Sequence, residues 1–352
     1  MKMKLLYLPV VLAMMAGYAN AEKRTNEKQE NPAQQAVVAE GVQQTVVSED
    51  APTVYFTKEI TPESLVKIYE ALGVPATGRV AVKISSGESQ QSNQLDPKLI
   101  QPLVNGVDGT LVECCTIYGG NRGTIAQHRE NIAKNGYTVA NGFLHELDLM
   151  DEEGDMEIPV ADSKWLKFDA VGKHLANYDY LINLAHFKGH AMGGFGGVLK
   201  NQSIGVSSQR GKALIHSNGR NTEGSRWFQF ADNQDGFLES MAAAAQAVHN
   251  YFHQDGKNIV YIDVMNNMSV DCDCNGHPAA PMMKDMGILA STDPVALDKA
   301  CLDLVFGHSS TSGDDANPLQ ERINSCHGTH TVEYAAQIGL GSLEYKLVSI
   351  DD

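Results

Sequence analysis

Short apolar runs, each followed by turn residues and then by a helix-forming stretch, recur along this chain. That repetition constrains the fold more than any other feature. Arg79–Ile84 (RVAVKI) ends in Ser85-Ser86-Gly87-Glu88 and leads to a helix opened by Asp96-Pro97 that runs to about Asn105. Leu111–Ile117 ends in Tyr118-Gly119-Gly120-Asn121-Arg122-Gly123 and leads to a helix reaching about Asn135. Apolar runs of strand length that alternate with helices imply parallel βαβ units. The predicted class is α/β, with mostly parallel or mixed sheets, flanking helices and Rossmann-like βαβ units. One arrangement of so long a chain has two lobes with the site between them. Ligands of such sheets lie outside the carboxyl ends of the strands. Arg122 could hold an anion there, although a surface arginine on a turn is an equal reading.

The richest of these junctions runs from Tyr180 to His216. The apolar run Tyr180–Leu184 reads as a buried strand, and it delivers His186, Lys188 and His190 onto a loop containing Gly193, Gly194, Gly196 and Gly197. Lys200 and Asn201 follow, and His216 closes the segment. Glycines at that density suit a backbone that adopts positive φ or comes close to a ligand. Neutral histidine is the commonest metal ligand and the natural general base near pH 7. His190, His186 and Lys188 are therefore the catalytic candidates. Lys200, Asn201, Gly194, Gly196, Gly197 and Arg122 are the candidates for holding a cofactor or anion. A buried, satisfied structural histidine is the plainer alternative for any one imidazole. The loop is not a nucleotide-triphosphate loop, because Leu199 precedes Lys200 and Asn201 follows it. It also lacks the dinucleotide fingerprint and its acidic partner.

Cys272-Asp273-Cys274 follows another predicted strand, Asn258–Val264. Thiolates two residues apart can chelate a soft transition metal when other ligands converge. His216, Cys272 and Cys274 are the candidate metal ligands, against an equal expectation that the cysteine pair is buried or disulfide-bonded. The six cysteines permit disulfides but specify no pairing.

Elsewhere the pattern predicts helices from Thr61 to about Leu72, Ser163 to Ala176, Phe237 to Phe252, Asp293-Pro294 to about Phe306, and Thr331 to Ile338. It predicts strands at Asp285–Ser291 and Tyr345–Ile350. Asp148–Asp155 reads as a solvated acidic loop, and Ser207–Asp235 as a long loop over the site.

Lys2 and Lys4 precede an apolar run from Leu5 to Ala16, and Ala19-Asn20-Ala21 gives a small-x-small cleavage pattern. Residues 1–21 read as a secretory signal peptide cut before Glu22, since the run is too short for a bilayer span. Residues 22–50 read as a polar, flexible tether, and 51–352 as the folded domain. The expected location is across the inner membrane, periplasmic or extracellular, with no integral membrane segment in the mature chain. A formal charge of −16 argues against nucleic acid as a partner. The expected partner is a small anionic ligand.

Taken together, Tyr118-x-Gly-x-Arg122, the HFKGH run to His190, GGFGGVLKN to Asn201, Asp271-Cys-Asp-Cys274, Asp285-x-Gly-Ile288 and Ser291-x-Asp-Pro-Val-Ala-Leu-Asp298 resemble the domain-of-unknown-function 362 proteins. Many of those carry a ferredoxin-like insert with two four-cysteine runs. This chain has none, so the resemblance implies no built-in iron–sulfur carrier. His190, the glycine loop to Lys200, and His216 are also similar to the nickel-pincer lactate racemase pattern. That resemblance implies His190 as acid/base, Lys200 as cofactor anchor, His216 as metal ligand, and hydride abstraction from a 2-hydroxy acid. The expected function is an exported enzyme acting on a small anionic substrate, racemase-, isomerase- or oxidoreductase-like. A redox or metal carrier centred on Cys272 and Cys274, or an envelope ligand-binding protein, are the alternatives.

Overall fold

The computed structural model describes residues 48–351 apart from 222, 224–228, 230 and 231. The signal peptide, nearly all of the tether and part of the expected 207–235 loop lie outside the described residues.

The first half of the chain alternates as its sequence pattern demands. Strand β1 (Thr53–Thr57) leads to helix α1 (Pro62–Ala71), where Thr61 and Ser64 form a reciprocal capping box. Strand β2 (Val80–Lys83) precedes α2 (Pro97–Gly106), which is capped by the Asp96 side chain. Strand β3 (Thr110–Glu113) precedes α3 (Ile125–Asn135), which Gly136 ends in the left-handed conformation. Next come β4 (Asp148–Leu149), β5 (Asp155–Pro159), β6 (Phe168–Gly172) and the long β7 (Tyr180–His186). Short strands β8 (Lys188–His190) and β9 (Gly194–Gly196) follow, then helices α4 (Val198–Gln202), α5 (Gln209–His216) and α6 (Gln234–Tyr251). The chain closes with β10 (Asn258–Met265), β11 (Gly287–Ser291), α7 (Pro294–Gly307), α8 (Asn317–Ser325), α9 (His330–Gln337) and β12 (Lys346–Ser349).

Eight strands form one sheet in the order β12-β1-β11-β10-β7-β2-β3-β4. All neighbours are parallel except β11, which runs antiparallel to both β10 and β1. The class is thus α/β with a mixed, mainly parallel sheet. Side chains alternate across it: Leu181, Ala185, Ile259 and Tyr261 pack in one core with α6 and α7, and Tyr180, Ile182, Leu184, Val260 and Ile262 pack in the other with α1 and α2. Burial on both faces is why the central strands read as unbroken apolar runs. The alternation also puts Asn183 and Asp263 on the α7 side, both fully buried.

Four expectations are corrected. The described residues belong to one compact unit, so the two-lobe arrangement is not the observed one. The helix expected at 163–176 is instead β6 and a 3₁₀ turn, because β5 pairs antiparallel with β6 along its whole length. The acidic stretch 148–155 is structured: Asp148 lies 2.7 Å from His174 Nδ1 and accepts the Tyr178 hydroxyl at 2.8 Å. The expected loop at 207–235 begins with helix α5, capped by Ser208. All six cysteines are free. No helix among the described residues is long and apolar enough to cross a membrane.

Candidate functional site

The carboxyl ends of β2, β3 and β7 open onto a cavity of about 220 Å³. Its walls include Lys83 from β2, His190 and Lys188 from β8, Lys200 and Asn201 from α4, Lys212 and His216 from α5, and Cys272 and Cys274 from the loop after β10.

The glycine loop is a β-hairpin. Lys188 pairs with Gly196 and His190 with Gly194, and Phe187 stacks on Phe195 with ring centroids 5.5 Å apart. Gly189 is what lets this hairpin lie flush on the cysteine loop. Its N–H donates to Ser269 O at 2.7 Å, and a Cβ there would come within 2.3 Å of Val270 O. The glycines expected to admit a ligand mostly serve the protein's own packing. Gly194, at φ 78°, faces the backbone of Gly328, and a Cβ on Gly197 would strike Asp298. Gly196 lies between the Lys188 and Lys200 side chains.

His186 does not line the cavity. Its Nδ1 lies 2.8 Å from Asp273 Oδ1 and its Nε2 2.6 Å from Asn266 O. Both partners accept, so both ring nitrogens are positioned as donors, and no nitrogen is left to act as a base. Asp273 also pairs with Lys188, whose Nζ lies 2.9 Å from Oδ2. Burial opposes the charge on Asp273, yet Lys188 and His186 hold its carboxyl well below the usual range.

The other two histidines are held in opposite tautomers. His190 Nδ1 accepts the N–H groups of Gly193 at 2.8 Å and Met192 at 3.2 Å, so the neutral ring carries its proton on Nε2. His216 Nδ1 lies 2.6 Å from Lys212 O and donates to it, so Nε2 is its basic nitrogen. Burial keeps both rings neutral: it pushes His190 far below its ordinary value, aided by Lys200, and takes His216 down to about 4.

Cys272 is the acidic thiol of the pair. A hydrogen bond from Cys274 lowers it well below the ordinary cysteine value, and the charges of Lys200 and Lys188 add to this. Lys200 Nζ lies 3.7 Å from Cys272 Sγ. Ligand atoms of His190, Cys272 and Cys274 lie within 4.8 Å of one another. The histidine nearest both thiols is therefore His190 rather than His216, which faces the same cavity from α5. The two sulfurs suit a soft metal. His190 would join them only by giving up either its backbone hydrogen bonds or its Nε2 proton.

Arg122 is buried and its charge is already balanced. Nε lies 3.1 Å from Glu88, Nη1 3.4 Å from Glu113, and Nη2 donates to the Tyr118 hydroxyl at 2.9 Å. Asn201 acts as a clamp: its Nδ2 donates to Lys83 O, Asn183 Oδ1 and Leu184 O at 3.0, 2.7 and 3.3 Å. Two cavity lysines, Lys83 and Lys212, escaped sequence reasoning. Position could have marked Lys83, a charge inside a strand run and at the carboxyl end of a parallel strand.

A family model described as a domain of unknown function (DUF362) matches residues 80–303. The chain belongs to this family. The DUF362 stretch runs from β2 into α7 and so contains every cavity residue named above. No functionally curated protein matches the chain. Among solved structures, a Thermotoga maritima protein determined by a structural genomics consortium is similar at 14% identity with a TM-score of 0.39, covering 68% of this chain and 57% of that one. The lactate racemase apoprotein from Thermoanaerobacterium thermosaccharolyticum is similar at 15% identity with a TM-score of 0.35, covering 60% of this chain and 50% of that one. The DUF362 chain thus spans about half the length of each.

Proposed function

We propose that this DUF362 protein is an exported enzyme that binds a small anionic substrate in the cavity at the strand ends. One observation carries the reading. Lys200 and Lys212 both face that cavity, and among the described residues neither forms an ion pair with a carboxylate. Burying an ammonium without a counter-ion costs several kcal/mol, and an anionic ligand offsets that cost. His190 offers an Nε2 proton to the bound molecule and His216 a basic nitrogen, which suits proton transfer next to the anionic group.

The test is thermal unfolding of the mature protein with pyruvate, lactate, malate, phosphate and sulfate at constant ionic strength. At least one should raise the melting temperature in wild type and much less in Lys200→Ala and Lys212→Ala. If none exceeds the effect of sodium chloride, the reading is wrong.

The closeness of Cys272, Cys274 and His190 favours a second reading, a soft transition metal held by the two sulfurs. Elemental analysis of protein purified without chelators would then find stoichiometric metal, lost in the Cys272→Ala/Cys274→Ala double variant. Lys200 and His216, the anchor and ligand of the racemase resemblance, also line one cavity; a lysine-bound metal cofactor held there would supply hydride-accepting chemistry.

Export rests on the leader sequence alone. Sequencing the amino terminus of protein recovered from the envelope should return Glu22 first. An intact Met1 there would remove this part of the proposal.

A further inference from the structure

Lys83 differs from the other cavity lysines. It ends β2 at 2% exposure, and its amine donates to two uncharged acceptors, Ile84 O and, at 3.1 Å, Asn201 Oδ1. Asn201 cannot turn its amide round, because Nδ2 is committed to three oxygens. Gly205 makes room for the amine, since a Cβ there would lie 2.7 Å from both Cε and Nζ. Burial pushes the ammonium down to about 7, with Lys212 and Arg122 acting in the same direction and Glu113 against them. A neutral amine with both hydrogens committed has one tetrahedral position left, and that position holds its lone pair. Buried lysines of this kind are the ones used for covalent chemistry on carbonyls.

We propose that Lys83 forms an imine with the carbonyl carbon of a small 2-oxo acid whose carboxylate is held by Lys212 and Lys200. The proposal rests on the reading of the cavity as an anion site and names its substrate class. An amine nucleophile requires a carbonyl, unpaired lysines beside it require a carboxylate, and about 220 Å³ admits only a small molecule. The Nζ lone pair attacks the carbonyl carbon, and the carbon–nitrogen bond forms as the carbonyl π pair moves to oxygen. Both amine hydrogens leave with that oxygen as water, and nothing is oxidised or reduced. Protonation from solvent gives an iminium with one N–H, which Asn201 Oδ1 or Ile84 O accepts.

The test treats the mature protein with pyruvate or glyoxylate and sodium cyanoborohydride, then locates the reduced adduct by peptide mass spectrometry. Lys83 should be labelled several-fold faster than the exposed Lys134, with a rate that rises as pH passes through 7. Lys83→Arg should lose the fast label while pyruvate still raises its melting temperature. If pyruvate stabilises the wild type but Lys83 is labelled no faster than Lys134, the imine is overturned and the anion site stands. If pyruvate and glyoxylate neither stabilise nor label while phosphate or sulfate stabilises, the imine is overturned and the anion site stands; if no anion stabilises and nothing labels, both fall. Should Lys83→Arg fail to fold, the labelling order in wild type decides alone.

Discussion

The carboxyls of Asp263 and Asp298 share one proton, fully buried beneath the helix that carries Lys200. Counted as a carboxylate, Asp263 Oδ1 would have no donor at all. As an acid it has an acceptor in Asp298. Burial, together with the neighbouring Asp298 charge, raises Asp263 well above the usual range, and burial raises Asp298 to about 6. Asp298 in turn accepts the N–H groups of Val198 at 2.8 Å and Leu199 at 3.0 Å, the first turn of α4. A proton held under the sheet therefore fixes the helix that aims Lys200 into the cavity.

Asp263→Asn keeps a donor towards Asp298 and should change stability by less than about 1 kcal/mol. Asp298→Asn presents an N–H to other N–H groups and should cost about 1–3 kcal/mol. Because the folded-state value of Asp298 is raised, the pair's contribution is complete below the ordinary carboxylate range and declines as pH rises through 6. Urea unfolding at several pH values checks both points; equal losses in the two variants would refute the assigned roles.

Lys83 should give the opposite pH dependence. Its value is lowered from 10.5 to about 7, so between those limits the unfolded chain binds a proton that the native one lacks. Stability should climb with pH there by up to about 1.4 kcal/mol per unit, and Lys83→Met should remove the climb. Unfolding free energies at pH 7 and pH 9 measure it. Parallel slopes in the two proteins would mean that the buried amine keeps its proton.

Asp273→Ala leaves Lys188 and His186 buried without their carboxylate and should cost about 3–5 kcal/mol. Adding Lys188→Met should restore much of that loss. A double-mutant cycle by chemical denaturation reads the coupling, and simple additivity would show the pair to be independent.

Iodoacetamide at pH 6 should alkylate Cys272 before Cys301, whose thiol burial pushes far up. Cys274→Ala removes the hydrogen bond that favours the thiolate and should slow alkylation at Cys272 about tenfold. Lys200→Met should slow it less. Peptide-resolved alkylation rates give the comparison, and an unchanged rate in Cys274→Ala would contradict the assignment of donor and acceptor.

The sheet was legible because its central strands are buried on both faces, and RVAVKI, YLINLAH and NIVYIDVM carry that burial in their composition. The helix starts at Thr61, Asp96 and Asp293 were legible because a capping side chain is a local signal. The hairpin β8–β9 was not, because glycines that read as a loop are glycines pressed against Val270, Gly328 and Asp298. Residues 163–176 misled because a short apolar run fits either period, and only pairing with β5 decides it. In the site, spacing marked His190, Lys200, His216 and the two thiols. It could not reveal that Asp273 disarms His186, nor that Lys83 and Lys212 turn towards the same cavity from distant elements.

Gly189 brings in the order of events. Without a side chain there, the hairpin and the cysteine loop form one body, although the chain reaches them far apart in time. Cys272 finds Lys200, Lys188 and Cys274 together only after β7 and β10 are side by side. The reactive thiol is thus switched on by completion of the sheet. A partly folded chain carries six ordinary cysteines and no exposed, activated one.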